Sequence, residues 1–225
     1  MSEAVIQRPR DFESPTKRCW GTRFYNPKLR AADIHEMIVS DRAVEKLDDL
    51  TAEEEADFWA LTMERLNLIV SQPDVVSAGF FINDGKHARQ TASHVHVHVL
   101  GFKDETVKNF ARFFTKLKRK FADAAHNTPL HERSVKLKRD NFEQLRMIRD
   151  SLRANYGADS FSIFVKMPLK SMKKQEIEIV IQAWSQERPS QFSLTNMVRC
   201  CLGMRKTPHG KEPASYERFA PVTRL

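Results

Sequence analysis

Residues 93–101 read "SHVHVHVLG", and the strict alternation of His94, His96 and His98 with Val95, Val97 and Val99 has the period of an extended strand. Successive side chains of a strand point to opposite faces, so the valines line one side and the histidines the other. The valine face requires a covering helix or sheet layer, which leaves the histidine face to carry a site. At about 3.4 Å per residue the outer two histidines have Cα atoms ~14 Å apart, too far for all three to converge on one metal with ~2.0 to 2.1 Å bonds. Two could share a metal with outside ligands. The spacing suits an extended chain of phosphates better: neutral imidazole offers a nucleophilic nitrogen, imidazolium offers two donors, and a reference pKa near ~6.5 brings both forms within reach.

The elements before this strand alternate in type. "CWGTRFYN" and "DIHEMIVS" have the aromatic and β-branched content of strands, with the turn-like "NPKLRAAD" between them. "LTAEEEADFWALTMERLNLIV" predicts a helix, because Thr51 can cap it, Glu54 stands three residues later as its capping-box partner, and the acidic first turn suits the helix dipole. "SAGFFIN" is then a strand, "DGKHARQTA" a loop opened by the Asp84-Gly85 turn signal, and residues 93–100 the last strand.

The second half has a different character. "DETVKNFARFFTKLKRKFADAAH" predicts a helix with Val107, Phe110, Phe114, Leu117 and Phe121 on one stripe, and "HNTPLHERS" breaks it. Phe113 joins these phenylalanines as packing rather than as a base-stacking platform. A second helix is expected over "NFEQLRMIRDSLRANYG", stopping at Gly157, followed by a hairpin of "SFSIFVKM" and "EIEIVIQAW" across the basic loop "PLKSMKKQ". A short helix near "FSLTNMVRCCLG" and an irregular tail complete the chain.

Charge divides the same way. Residues 1–101 hold 12 Lys and Arg against 16 Asp and Glu, while residues 102–225 hold 25 against 13, which makes the halves −4 and +12. That asymmetry points to a polyanion-binding surface, with Lys116, Lys118, Arg119 and Lys120 on one helix and Lys170, Lys173 and Lys174 in the hairpin loop as its candidates. No apolar run approaches the ~20 residues needed to span a bilayer, and the first residues lack a signal-peptide core. Cys19, Cys200 and Cys201 make neither a disulfide framework nor a two-plus-two zinc spacing, and His209 beside the vicinal pair does not rescue one. A soluble protein of a reducing compartment, cytoplasmic or nuclear, is expected. His87, His126, His131 and His209 read as surface histidines.

The run "HVHVHVL" resembles the histidine triad (HIT) superfamily of nucleotide hydrolases and transferases, whose signature is His-x-His-x-His followed by two apolar residues. The likeness covers roughly residues 17–101. It includes His35 opening the strand before the long helix, Asn83 in "FINDG", and Gln90 before the last strand. It implies an α+β fold in which a long helix packs on an antiparallel sheet. It also implies a nucleotidyl hydrolase that cleaves a phosphoanhydride or phosphoramidate, such as a dinucleoside polyphosphate, through a covalent nucleotide on His96. His98 would meet the phosphate or leaving group, His94 and His35 would support the rings, and Asn83, Gln90 and Asn26 would contact substrate, with no metal and no cofactor. Two departures stand out. Arg89 occupies the place of a glycine, where it can clamp a longer phosphate chain or block the pocket, and Asn26 lies one residue further from His35 than is typical. Ser93, just before the triad, is a further candidate contact.

The expected organisation is an N-terminal arm (1–16), a HIT domain (17–103), a basic accessory region of helices and a β-hairpin (104–203), and a tail (204–225). A homodimer, by analogy with the family, is the expected assembly. Two rival functions stand beside the hydrolase: aprataxin-like or cap-scavenging removal of a nucleotide from an RNA or DNA end, using the basic half, and a catalytically silent scaffold in which Arg89 closes the site.

Overall fold

Val95, Val97 and Val99 are fully buried, and the strand that carries Val97 and Val99 lies deep in an eight-stranded sheet. A computed structural model of the chain describes residues 9–26, 31–90, 92–103, 129–138, 142–165 and 176–186. In chain order the elements are β1 (Phe12–Glu13), β2 (Cys19–Arg23), β3 (Ile34–Ser40), α1 (Ala52–Val70), β4 (Val75–Asp84), β5 (His96–Lys103), β6 (His131–Lys138), α2 (Glu143–Tyr156), β7 (Ser160–Val165) and β8 (Glu176–Trp184). Two 3-10 turns, Leu47–Asp49 and Lys86–Ala88, interrupt the connections. The strand order is β1-β2-β3-β5-β4-β7-β8-β6, and every neighbouring pair is antiparallel.

The expected α+β architecture is present, with α1 packed against β3, β4 and β5. Thr51 caps α1 as anticipated: its Oγ1 accepts from Glu54 N at 3.2 Å, and Glu54 Oε2 accepts from Thr51 N at 2.8 Å, an arrangement worth about 1 kcal/mol. Phe58, Leu66 and Ile69 of α1 join Ile38, Phe80, Ile82 and the three valines in one core. That core continues without a break into Leu145 and Leu152 of α2 and the inward residues of β7 and β8. The hairpin expected in the second half thus adds strands to the same sheet, β7 pairing directly with β4.

Three local expectations change. The strand of the histidine run starts at His96 rather than Ser93, because Val95 N donates to Val44 O at 2.7 Å and draws the backbone before it away from the sheet. The arm contributes β1: Phe12 faces Gly21 of β2, and a Cβ at Gly21 would collide with the Phe12 ring and sit 2.8 Å from Met37 O. The segment 131–138, of which 131–134 was read from sequence as the end of a break, is the edge strand β6, where Leu137 is buried while Glu132, Ser134 and Lys136 face solvent. Such alternation is what an edge strand shows on a half-buried sheet. The helix expected over 104–126, the hairpin loop with Lys170, Lys173 and Lys174, the short helix with Cys200 and Cys201, and the tail lie outside the described residues, as do Lys116, Lys118, Arg119 and Lys120. Among the described residues no helix is long and apolar enough to cross a membrane.

An ionic cluster bolts α2 to the first half. Arg149 is wholly buried and its Nη2 donates to Asp48 Oδ1 and Glu55 Oε1, both at 3.1 Å. Arg146 pairs with Glu55 at 2.9 Å, and Arg153 with Asp48. Beside them Asp84, 1% exposed, accepts from Leu47 N at 2.9 Å. Burial pushes its carboxyl up to about 6 against the pull of Arg149 and the Leu47 amide. The folded chain therefore keeps a proton on Asp84 at pH values where the unfolded chain has lost it. Its contribution to stability falls as pH rises from the ordinary carboxylate range through about 6, a cost of roughly 3 kcal/mol above that point. Asp84→Asn keeps the acceptor for Leu47 and removes the charge. Urea denaturation at pH 7.5 is expected to show the variant more stable than wild type by about 1–3 kcal/mol, with the difference vanishing near pH 4.

Candidate active site

The face of the sheet opposite α1 gathers His35 from β3 and His96 and His98 from β5. Antiparallel register sets Met37 across from His98 and Val39 across from His96, while Phe81 of β4 flanks His98 on its other side. One step beyond the Ile82–Val97 pair, the same register brings Asn83 level with His96. The His96 and His98 rings meet edge to face, with centroids 5.0 Å apart and planes at 87°. His98 also stacks on Phe81 at 4.7 Å, and His35 stacks on Phe24 at 3.9 Å with planes 3° apart. Aromatic packing on this scale limits the ring orientations.

Hydrogen-bond donors then assign the tautomers of the neutral rings. Ala31 N donates to His35 Nδ1 at 3.2 Å, so the proton of His35 sits on Nε2. That nitrogen is 2.8 Å from His98 Nδ1, which must accept, so His98 carries its own proton on Nε2. His96 has the opposite arrangement: its Nδ1 is 2.8 Å from the His94 carbonyl, an obligate acceptor, so Nδ1 donates and Nε2 keeps the lone pair. Two adjacent imidazoles therefore face the site with opposite character, one presenting an N–H and one a lone pair. Burial, reinforced by nearby His94 and opposed by the His94 carbonyl bond, holds the His96 pKa below the ordinary imidazole value.

His94 lies before the strand and supports the site mainly through its backbone. Ser40 Oγ donates to Arg42 O at 2.8 Å and therefore accepts from His94 Nε2 at 3.0 Å. Its Nδ1 is buried with no hydrogen-bond partner among the described residues, and burial lowers its pKa as well. Gln90 ties the β4–β5 loop to itself and to its neighbour: Oε1 accepts from Gly85 N and Nε2 donates to Glu45 O, each at 2.7 Å. Among the described residues only one of the two Gln90 amide hydrogens has a partner. Asn26 and Ser93 are exposed.

Arg89 is also exposed, and it stands in the left-handed region at φ 63°, ψ 40°, closing the Lys86–Ala88 turn with its N–H on Lys86 O. Glycine adopts that conformation freely and other residues hold it at a cost, so the arginine that stands in place of the expected glycine is held there at a cost.

Two histidines expected at the surface are engaged. His131 stacks on Tyr156 at 4.5 Å. His87 Nδ1 lies 2.8 and 2.9 Å from the two carboxylate oxygens of Asp159. Asp159 and Ser160 were not singled out from sequence, because nothing local connects a residue before β7 with a loop seventy positions earlier. Among the described residues no group of three His, Cys, Asp or Glu side chains is arranged to hold a metal ion.

Residues 25–105 match the family model described as the HIT domain. The chain carries a HIT domain of the histidine triad superfamily. Over 88 residues it is 32% identical to a bis(5'-adenosyl)-triphosphatase of Dictyostelium discoideum, an alignment covering 38% of this chain and 57% of that protein. Over 85 residues it is 33% identical to an asymmetrical bis(5'-nucleosyl)-tetraphosphatase of Schizosaccharomyces pombe, covering 34% of this chain and 47% of that one. The chain thus spans about half the length of these relatives. In fold, the chain resembles a GalT-like protein of Arabidopsis thaliana, with a TM-score of 0.54 at 12% identity over 80% of this chain and 79% of the other.

Arg89→Gly and Arg89→Ala lose the same side chain and differ only in backbone freedom. The glycine variant is expected to be more stable than the alanine variant by about 1 kcal/mol in chemical denaturation.

Proposed function

We propose that the chain is a nucleotide hydrolase or transferase of the histidine triad type, and more specifically a nucleotidyl hydrolase acting on a phosphoanhydride such as that of a dinucleoside polyphosphate. The carrying observation is the bond from His96 Nδ1 to the His94 carbonyl, which leaves Nε2 of a buried, neutral imidazole as a lone-pair donor. The two curated relatives are a dinucleoside triphosphatase and a dinucleoside tetraphosphatase, and this supports the substrate class.

His96 Nε2 attacks the α-phosphorus in line, forming a P–N bond as the P–O bond to the leaving group breaks. The departing oxygen takes the bonding electrons and is met by the Nε2–H of His98, whose proton is held in that position by the chain of bonds from Ala31 N through His35. Asn83 and the remaining amide hydrogen of Gln90 supply neutral donors to the phosphoryl oxygens. Water then attacks the phosphorus, forming a P–O bond as the P–N bond breaks and its electron pair returns to His96, while the proton the water loses passes to solvent. His94 and His35 act through the rings they hold, and Arg89, Asn26 and Ser93 line the approach of the phosphate chain and nucleoside.

Incubation with α-labelled diadenosine triphosphate, followed by alkaline denaturation, is expected to leave acid-labile label on the wild-type chain. His96→Ala should carry none and lose at least about a thousandfold in kcat. Absence of both adduct and turnover across adenylated and guanylated substrates would sink the reading. The sign of the His96 shift adds a pH test. A depressed pKa keeps the nucleophile neutral at lower pH, so the acidic limb of kcat/KM should fall at a pH below about 6.5, the ordinary imidazole value.

A further inference from the structure

The loop that carries Arg89 and Gln90 is held from both halves of the chain. Gly85 at φ 94° and Arg89 at φ 63° put two residues of this short segment in positive-φ conformations. Within the HIT domain its ties include the turn's own backbone bonds, Ala88 N and Gln90 N on Gly85 O and Arg89 N on Lys86 O, together with the Gln90 amide bridging Gly85 N and Glu45 O, and Val95 N on Val44 O. Its side-chain anchor on the other side is the start of β7, beyond residue 105 where the HIT match ends. His87 Nδ1 donates to the Asp159 carboxylate, and His87 N donates to Ser160 Oγ at 3.1 Å. Ser160 Oγ in turn donates to Asp159 Oδ1 at 2.8 Å, so its one hydrogen and one of its lone pairs are both used. Lys46 Nζ reaches the Asp159 carbonyl at 3.3 Å. Ala88 is fully buried in a cluster that joins Ala32, Phe81, Leu100 and Phe102 of the first half to Phe164 and Trp184 of the second.

A single exposed ion pair would hold a loop weakly. Here the imidazole is largely covered, its side chain 22% exposed, and the carboxylate, hydroxyl and backbone amide form one connected network around it. Gly85 also fits closely: a Cβ on it would sit 2.6 Å from Ser160 Oγ. The start of β7 and the turn 85–89 are shaped to each other on both the polar and the steric side.

We propose that Asp159, with Ser160, is a positioning residue of the site: by holding His87 it fixes the 85–90 loop, so that the second half of the chain orders Arg89 and Gln90 along the path of the phosphate chain. This role rests on the nucleotidyl-transfer reading for its effect on substrate, while the loop restraint itself does not. Asp159 touches neither substrate nor the reacting atoms, and its contribution is to spare binding the cost of ordering the loop.

The test uses the full-length chain with Asp159→Ala and Asp159→Asn, reading amide hydrogen exchange over residues 84–92 together with steady-state cleavage of diadenosine triphosphate. Asp159→Ala should speed exchange in the loop by about tenfold or more while leaving β5 protected. It should raise KM about tenfold with kcat within about twofold of wild type. Asp159→Asn keeps an acceptor for His87 Nδ1 and should recover most of both effects. Unchanged exchange in Asp159→Ala overturns the proposal, as does faster exchange with an unchanged KM in an active enzyme. A wild-type protein without turnover refutes the nucleotide reading, and the exchange comparison still decides the restraint. Should Asp159→Ala open β5 as well, His87→Gln, which retains the backbone bond to Ser160, is read in the same two ways with the same deciding results.

Discussion

Burying Val95, Val97 and Val99 beneath α1 determines which way every other side chain of the strand points. With one face of β5 committed to the core, His96 and His98 have no alternative but the opposite face, and antiparallel pairing with β3 and β4 brings His35 and Asn83 onto it. A slip of one residue would exchange the two sets and destroy the core and the site together. Fold stability and site geometry therefore share one constraint, and the close packing of α1 on the valines protects both.

The His96 and His98 imidazoles owe their different characters to their surroundings. His96 and His98 are the same residue type two positions apart, yet one donates its Nδ1 proton to a carbonyl and the other accepts at Nδ1 from a neighbouring histidine. The carbonyl is available because the backbone leaves the sheet just before His96, where Val95 bonds to Val44 instead of to a strand. The shortened strand is thus the condition for the His96 tautomer. A ladder running through Ser93 would have directed the His94 carbonyl along the sheet.

The second half of the chain is joined to the first by three kinds of contact. Its strands extend the sheet through β7, its helix α2 shares the hydrophobic core, and Arg146, Arg149 and Arg153 interlock with Asp48 and Glu55. Buried ion pairs add little net stability over apolar packing but are costly to break, so they favour one docking geometry over others. That geometry also sets Asp159 and Ser160 against the loop of Gly85 and Gln90.

Much was legible in the sequence because it is encoded locally. The His-Val alternation, the Thr51–Glu54 capping box and the glycine stop at Gly157 each act within a few residues, and each led to the right element. The edge strand β6 was not legible, since six of its eight residues are polar or charged and its apolar pair, Val135 and Leu137, is too short to mark a strand. The contact between His87 and Asp159 was hidden for another reason: neither has a local signal, and they meet only because β7 pairs with β4. The sequence by itself determined the two-faced strand, the helix that covers it and the identity of the histidines. Only the tertiary structure decided which nitrogen of each ring holds its proton and what restrains the loop beside them, because those depend on carbonyls, carboxylates and amides that arrive from distant parts of the chain.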